Sequence, residues 1–129
     1  MRLLVDTHIL LAVVEGRLDT LNRPMREALS ASTATLTASV VSLWEIAIKV
    51  RLGKLSLHGP LRQLPDAVTR FGLTLLDIQA PHVLVEAEPL PRTRDPFDRL
   101  LLSQCLVENL RLVTLDRALA AHPLAWRAD

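Results

Sequence analysis

Cysteine and aromatic residues are scarce in this sequence. Its 129 residues include one cysteine, two tryptophans, two phenylalanines and no tyrosine. The single Cys105 excludes an intramolecular disulfide and fits a reducing compartment. So few aromatic side chains argue against a base-stacking platform of the kind that single-strand-binding proteins use. Because Cys105 has no partner and the histidines show no ligand spacing, we expect no zinc site. The histidines are His8, His58, His82 and His122.

Long apolar runs are also missing. No segment approaches the roughly 20 apolar residues that a membrane helix needs. The N-terminal apolar run, residues 3–5, meets Asp6 too early for a signal peptide. We therefore predict a cytoplasmic protein without a membrane segment. The net charge of +1 neither requires nor excludes a nucleic-acid partner. With 50% hydrophobic and 22% charged residues, the chain has a folded composition, and its length suits a single domain over residues 1–129.

Short apolar strands alternate with amphipathic or buried helices along the chain. The pattern predicts strands at 3–5, 35–38, 73–76 and 111–114, with a candidate edge strand at 124–126. It predicts helices at 7–14, 22–31, 40–52, 60–71, 81–88, 97–108 and 116–121. This alternation indicates an α/β fold with a short, mainly parallel sheet covered on both faces. In such folds the functional site lies beyond the carboxyl ends of the strands.

Four acids are candidates for a functional site. Some lie near the carboxyl ends of predicted strands, and one lies where a charged residue is unexpected. Asp6 and Asp116 end predicted strands, Asp98 opens a helix, and Glu45 lies within an apolar helix. Each has an ordinary explanation as well. The aspartates suit helix caps, with Asp95 as a further cap, and Glu45 is four residues from Lys49.

The four acids make more sense together than separately. A carboxylate on a buried helix such as that of Glu45 costs several kcal/mol unless it is compensated. A parallel sheet can bring acids at strand ends to one edge, where they repel one another unless a divalent cation neutralises them. Ligands that are all oxygen favour Mg²⁺ or Mn²⁺.

Four ordered blocks of the sequence resemble a known family. The blocks are VDTHIL (5–10), SLWEI within 39–46, RDPFDRLL (94–101) and LVTLD (112–116). In order and spacing they resemble the PIN-domain toxins of bacterial type II toxin–antitoxin systems, the VapC group. The resemblance implies a PIN-like three-layer sandwich and a Mg²⁺-dependent endoribonuclease in which Mn²⁺ can substitute. It also implies an RNA substrate, a homodimer, and inhibition by a cognate antitoxin.

The resemblance also assigns site residues. Asp6, Glu45, Asp98 and Asp116 fall on the acidic positions of the family, as catalytic residues and metal ligands. Supporting positions, namely an extra acid and three small hydroxyl residues, fall on Asp95, Thr7, Ser42 and Thr114. Two departures are the short tail after Asp116 and Ala12, which stands where relatives usually carry a tryptophan.

Three arginines beside the third acid are candidates for binding RNA phosphates. Arg92, Arg94 and Arg99 have the planar fork that suits phosphate, although each could equally be a solvated surface residue.

Two other function classes are open. One is a PIN-fold interaction module without catalysis. The other is a phosphotransfer enzyme that uses Asp6 as an aspartyl-phosphate. The second is disfavoured because such enzymes use a lysine late in the chain, and the lysines here are Lys49 and Lys54.

Overall fold

The computed structural model describes residues 1–128 and is built on one four-stranded sheet. The strands are β1 (Arg2–Val5), β2 (Thr35–Ser39), β3 (Thr74–Leu76) and β4 (Arg111–Val113). They are all parallel and lie in the order β3-β2-β1-β4. Leu4 in the central strand β1 is in register with Thr37 of β2 and Leu112 of β4. The predicted parallel sheet is therefore confirmed.

Helices cover both faces of the sheet. They are α1 (Thr7–Val14), α2 (Arg23–Ser30), α3 (Val40–Arg51), α4 (Leu64–Arg70), α5 (Ala80–Leu84), α6 (Pro96–Glu108) and α7 (Arg117–Ala120). Side chains of a strand alternate between faces, so Leu3 and Val5 pack with α1, α2 and α4, whereas Leu4 packs with α6 and α7. Two apolar cores on opposite sides of one sheet make a three-layer α/β fold.

Most of these helices have a polar side chain at the N-cap position, just before the first helical residue. A cap side chain accepts a hydrogen bond from a free amide of the first turn, which satisfies one of the donors that a helix start leaves open. At the other end of α6, Asn109 takes the left-handed conformation, with φ of 56°, and stops the helix. The residues whose side chains cap helices in this way are Asp6, Asn22, Ser39, Asp95 and Asp116.

Three predicted elements differ from the structure. The helix predicted at 60–71 divides into a short 3-10 helix, Leu61–Gln63, and α4, because Pro65 is tolerated only in a first turn. The helix predicted at 81–88 ends at Leu84, and Val85 is extended. Pro89 disfavours the helical region only for the residue before it, Glu88, so it accounts for the last position of the predicted helix and not for the end at Leu84. The candidate edge strand at 124–126 forms only one parallel bridge, from Ala125 to Leu112.

The other predicted elements are confirmed, with ends shifted by at most two residues. No helix within residues 1–128 is long and apolar enough to cross a bilayer.

Candidate active site

A depression of about 360 Å³ lies beyond the carboxyl ends of β1 and β4, where α1, α3, α6 and α7 meet. The chain topology brings together here acids that are far apart in the sequence, because parallel strands end at the same edge. All four predicted acids and Asp95 line it. Its lining residues, which we call the acidic pocket, are Asp6, Thr7, His8, Glu45, Lys49, Asp95, Asp98, Leu115 and Asp116.

Asp6 is both a helix cap and a pocket residue. It follows β1, is 5% exposed, and its Oδ1 accepts a hydrogen bond of 2.9 Å from the backbone N–H of Ile9 in α1. Burial raises the pKa of the Asp6 carboxyl, and hydrogen bonds from the Thr114 hydroxyl and the Ile9 amide oppose that rise. The cap therefore holds a desolvated carboxylate at the edge of the pocket, and the two explanations for this acid are compatible.

Glu45 is held by a hydroxyl and an ammonium group. Its Oε1 accepts a hydrogen bond of 2.6 Å from the Thr7 hydroxyl, which lies 3.0 Å from the Ser42 hydroxyl. Its Oε2 accepts one of 2.7 Å from Lys49 Nζ. The Glu45 side chain is 7% exposed and that of Lys49 is 39% exposed. The helical pair with Lys49 thus exists, and it lies inside the pocket rather than on an open surface.

Asp98 carries the strongest sign of crowding among acids. Burial raises its pKa to about 7, and repulsion from Asp95, Asp116 and Glu45 adds to the shift. Its compensation is weak, since the Thr93 hydroxyl lies 3.4 Å from Oδ2. Asp98 is therefore an acid that lacks a counter-charge in this pocket.

The remaining two aspartates cap helices. Asp95 Oδ1 accepts hydrogen bonds from the N–H groups of Phe97 (2.8 Å) and Asp98 (3.4 Å) at the start of α6. Asp116 is exposed, and its Oδ1 accepts a hydrogen bond of 2.8 Å from Ala118 at the start of α7. The backbone N–H of Asp116 donates to the Thr114 hydroxyl (3.0 Å), so this hydroxyl links the last strand to the last acid.

The donor set of the acidic pocket suits a hard divalent cation. Five carboxylates face the pocket, and the one nearby ammonium group, on Lys49, is already bound to Glu45. Within residues 1–128, no three acidic, histidine or cysteine side chains lie close enough together to hold a metal ion between them. Mg²⁺ is typically held by one or two carboxylates and several waters, so an open set of this kind fits it, whereas zinc is usually bound by cysteine and histidine, of which only His8 lines this pocket.

The three predicted phosphate-binding arginines lie outside the acidic pocket. Arg92 and Arg94 are exposed, and Arg92 lines a neighbouring groove. Arg99 is half-buried, and its Nε donates a hydrogen bond of 3.1 Å to the carbonyl oxygen of Thr93. Their role in RNA binding stays a prediction.

Three residues that line the acidic pocket were not among the site residues predicted from the sequence. Lys49 lies one turn after Glu45, and this spacing was the available signal for it. His8 is exposed in the first turn of α1 and lowers the pKa of Asp6. Leu115 is an exposed apolar residue beside Asp116, and no pattern in the sequence marks it.

Comparisons with known proteins agree with this geometry. A search of curated proteins finds no significant match. A solved structure that does match is a chain of the crystal structure of VapBC2 from Rickettsia felis bound to a DNA fragment from their promoter. The two chains have a TM-score of 0.65 and 19% identity over 97% of this chain and 96% of that chain, a likeness that shows the fold. The family model of the PIN domain matches residues 3–123. The chain therefore belongs to the PIN-domain family, as its sequence motifs indicated.

Proposed function

We propose that this protein is a Mg²⁺-dependent endoribonuclease and the toxin component of a type II toxin–antitoxin system. The observation that carries the proposal is the acidic pocket. Five carboxylates from four separate parts of a PIN domain line one depression, and burial and mutual repulsion raise the pKa values of Asp6 and Asp98. Groups with perturbed pKa values in a cleft are typical of catalytic sites.

The aspartates are the proposed metal-binding groups. Asp6, Asp98 and Asp116 present carboxylate oxygens to the pocket, and Glu45 either joins them or helps to activate the attacking water. When bound, Mg²⁺ or Mn²⁺ lowers the pKa of a coordinated water and offsets charge on the phosphate. The cap bonds of Asp6 and Asp116 fix their side chains before any ligand arrives, which reduces the cost of assembling the site.

The hydroxyl and ammonium groups around Glu45 orient its carboxylate. Thr7 fixes one oxygen and Lys49 the other, and Ser42 lies behind Thr7. We therefore assign Thr7, Ser42 and Lys49 as positioning residues, and Thr114 as the corresponding residue for Asp6 and Asp116.

The proposed partners are RNA, a cognate antitoxin and a second copy of the chain, and the proposed location is the cytoplasm. The resemblance to the VapC group supports an antitoxin as a partner. The fold shared with a chain of the VapBC2 structure supports it as well. Exposed apolar side chains such as Trp44 (54% exposed), Leu52 (64%) and Leu84 (80%) supply surface that a protein partner could cover.

The direct test is RNA cleavage at controlled metal. We expect purified protein to cleave RNA with MgCl₂ or MnCl₂, to stop when EDTA is added, and to recover when excess metal is restored. The Asp6→Asn variant, purified in parallel, controls for contaminating nuclease and should be inactive. Undiminished cleavage in EDTA would exclude the metal mechanism. A folded wild-type protein that cleaves no RNA with either metal would favour the non-catalytic interaction module.

A further inference from the structure

A second depression, of about 470 Å³, lies next to the acidic pocket and has the opposite charge. One wall is the segment 89–92 that precedes α6, and the other is α7 with the residues that follow it. We call it the arginine groove. Its lining residues are Pro89, Leu90, Pro91, Arg92, Arg117, Ala118, Ala121, His122 and Pro123. Two arginines line it and no acid does.

The two arginines of the groove are available to a ligand. Arg92 and Arg117 are both exposed, and within residues 1–128 neither forms a salt bridge or a side-chain hydrogen bond. Arg111 and Arg23, by contrast, are engaged, with the carbonyl oxygen of Pro123 (2.6 Å) and with Glu27 (2.8 Å). The other exposed arginines that are unengaged within residues 1–128 lie outside the groove; they are Arg51, Arg62, Arg70 and Arg94. Unengaged guanidinium groups can each donate two hydrogen bonds to one phosphate.

A buried histidine ties the two walls of the groove together. His122 is 5% exposed, and its Nε2 lies 2.8 Å from the carbonyl oxygen of Pro89 on the opposite wall. Its Nδ1 accepts a hydrogen bond of 3.1 Å from the backbone N–H of Leu124, which leaves Nε2 as the protonated donor. This contact within the fold therefore fixes the two walls of the groove relative to each other.

The groove continues directly from the acidic pocket. Leu115 and Asp116 line the pocket, and the next two residues, Arg117 and Ala118, line the groove. A polynucleotide with one phosphate among the acids would find its flanking phosphates repelled there unless a cationic surface lies alongside. The arginine groove is such a surface, and its proline and alanine side chains offer apolar contact to a ribose.

We propose that the arginine groove binds the RNA strand next to the scissile phosphate, with Arg92 and Arg117 on backbone phosphates. This inference rests on the proposed nuclease function and adds the path of the substrate to it. It gives Arg92 the phosphate-binding role that its sequence position predicted, and it adds Arg117. The contacts are to phosphate and sugar, so the groove positions the strand without selecting its sequence.

The test measures RNA binding rather than cleavage. A short unstructured RNA with a fluorescent label is titrated with protein in EDTA over a range of NaCl concentrations. We compare the wild type with Arg92→Ala/Arg117→Ala and with a matched control, Arg62→Ala/Arg70→Ala. The control removes the same charge from two exposed arginines that line neither the pocket nor the groove. Thermal unfolding checks that all three proteins are folded.

We expect the groove variant to bind about tenfold more weakly at low salt. Each single-strand phosphate contact contributes about −0.7 to the slope of log K against log salt, so two lost contacts should make that slope shallower by about 1.4. The control variant should match the wild type. Replacement of both arginines by lysine should restore much of the slope, because the charges return.

Equal affinity and slope in the groove and control variants would overturn the proposal. The result is separable from the proposed function. If the wild type cleaves RNA but the groove variant binds like the control, the groove proposal fails and the nuclease stands. If the groove variant loses affinity and slope as expected but the wild type cleaves nothing, the groove stands as an RNA-binding surface, and its placement beside a scissile phosphate falls with the nuclease.

Discussion

The carboxylate of Glu45 lies between a hydroxyl and an ammonium group, and this arrangement changes how its role can be tested. Lys49→Ala is not a suitable control for the helical pair between Glu45 and Lys49. Lys49 lines the acidic pocket itself and binds Glu45 Oε2 at 2.7 Å, so that variant would disturb the site. A better control is the pair Arg23–Glu27. It has the same i, i+4 spacing, and its side chains are 81% and 65% exposed.

We predict that Glu45→Gln loses cleavage while the protein stays folded. The amide keeps the size of the side chain but removes the charge, and loss of a catalytic acid–base or ligand group typically lowers rates about 10²- to 10⁴-fold. Glu27→Gln breaks the surface pair and should leave cleavage and stability almost unchanged. Both variants are measured by RNA cleavage and thermal unfolding. Normal cleavage by Glu45→Gln would leave a site of three acids.

Asp98 gives a pH dependence with a definite sign. Its pKa is raised to about 7 in the folded protein, whereas an aspartate of the unfolded chain titrates near 4. Between these two pH values the folded state therefore binds more protons than the unfolded state. The stability of the metal-free protein should therefore fall as pH rises from about 4 to 7. The loss follows from burial and from repulsion by the neighbouring acids.

The variant Asp98→Asn should remove this loss. We predict that it unfolds at a higher temperature than the wild type in EDTA, and that the difference is larger near pH 8 than near pH 5. Asp98 is only half-buried, so solvent screening reduces the effect to roughly 1 kcal/mol, or a few degrees in Tm. Differential scanning calorimetry at the two pH values measures it. A difference that is larger at the lower pH would contradict the assigned cause.

At the scale of the element, two substitutions of Asp6 distinguish its role as the cap of helix α1 from its role in the acidic pocket. Asparagine caps a helix about as well as aspartate, whereas alanine at a cap position costs about 1 kcal/mol. We therefore predict that Asp6→Asn is as stable as the wild type or more stable, because a buried charge is removed, and that Asp6→Ala is less stable than Asp6→Asn. Cleavage should be lost in both.

This pair of variants is measured by chemical unfolding and RNA cleavage. Retained cleavage in Asp6→Asn, with loss only in Asp6→Ala, would mean that Asp6 acts through the cap alone.

Element boundaries were predictable where a local signal defines them. Helix α1 matches its predicted range because Asp6 caps it directly after a strand, and the apolar residues that follow belong to the helix. Helix α3 ends one residue before its predicted end at 52, and Gly53, with φ of 72°, supplies the left-handed conformation that closes it. By contrast, Pro65 divides the helix predicted at 60–71, and α5 ends at Leu84, short of the position that Pro89 restricts. Proline restricts the backbone on both sides, so its effect depends on position within a turn.

At the scale of the whole molecule, the prediction of a homodimer rests on fewer residues than the sequence suggested. In the sequence, the apolar helix residues Leu10, Leu43, Ile48 and Leu52 favour a homodimer because they exceed what one small core is expected to bury. In the structure Leu10 is fully buried, Leu43 packs against the core and Ile48 is half-buried, whereas Leu52 is 64% exposed. Exposed Val83 and Leu84 on α5 add apolar surface that the sequence did not single out. The proposal of a dimer therefore depends on surface that a single chain leaves uncovered.

We predict that light scattering at micromolar concentration gives twice the mass of one chain. Reducing agent should not change the result, because Cys105 is buried and burial raises the pKa of its thiol to about 12, so an intermolecular disulfide is excluded. A monomeric mass at these concentrations would contradict the dimer, while the acidic pocket lies within one chain and would be unaffected.

The sequence by itself determined the alternation of strands and helices, the parallel sheet and the edge at which the acids gather. These follow from hydrophobic periodicity and from caps, which act over a few residues, and from the rule that parallel strands end together. The family motifs then marked Asp6, Glu45, Asp98 and Asp116 as one set.

Only the tertiary structure decided what surrounds those acids. The contact of Thr7 with Glu45 joins residues 38 apart in the chain, and the contact of His122 with Pro89 joins residues 33 apart. Such contacts depend on which side-chain conformations the packed helices allow. For the same reason the sequence could not reveal that Arg92 lies outside the acidic pocket and lines the arginine groove together with Arg117.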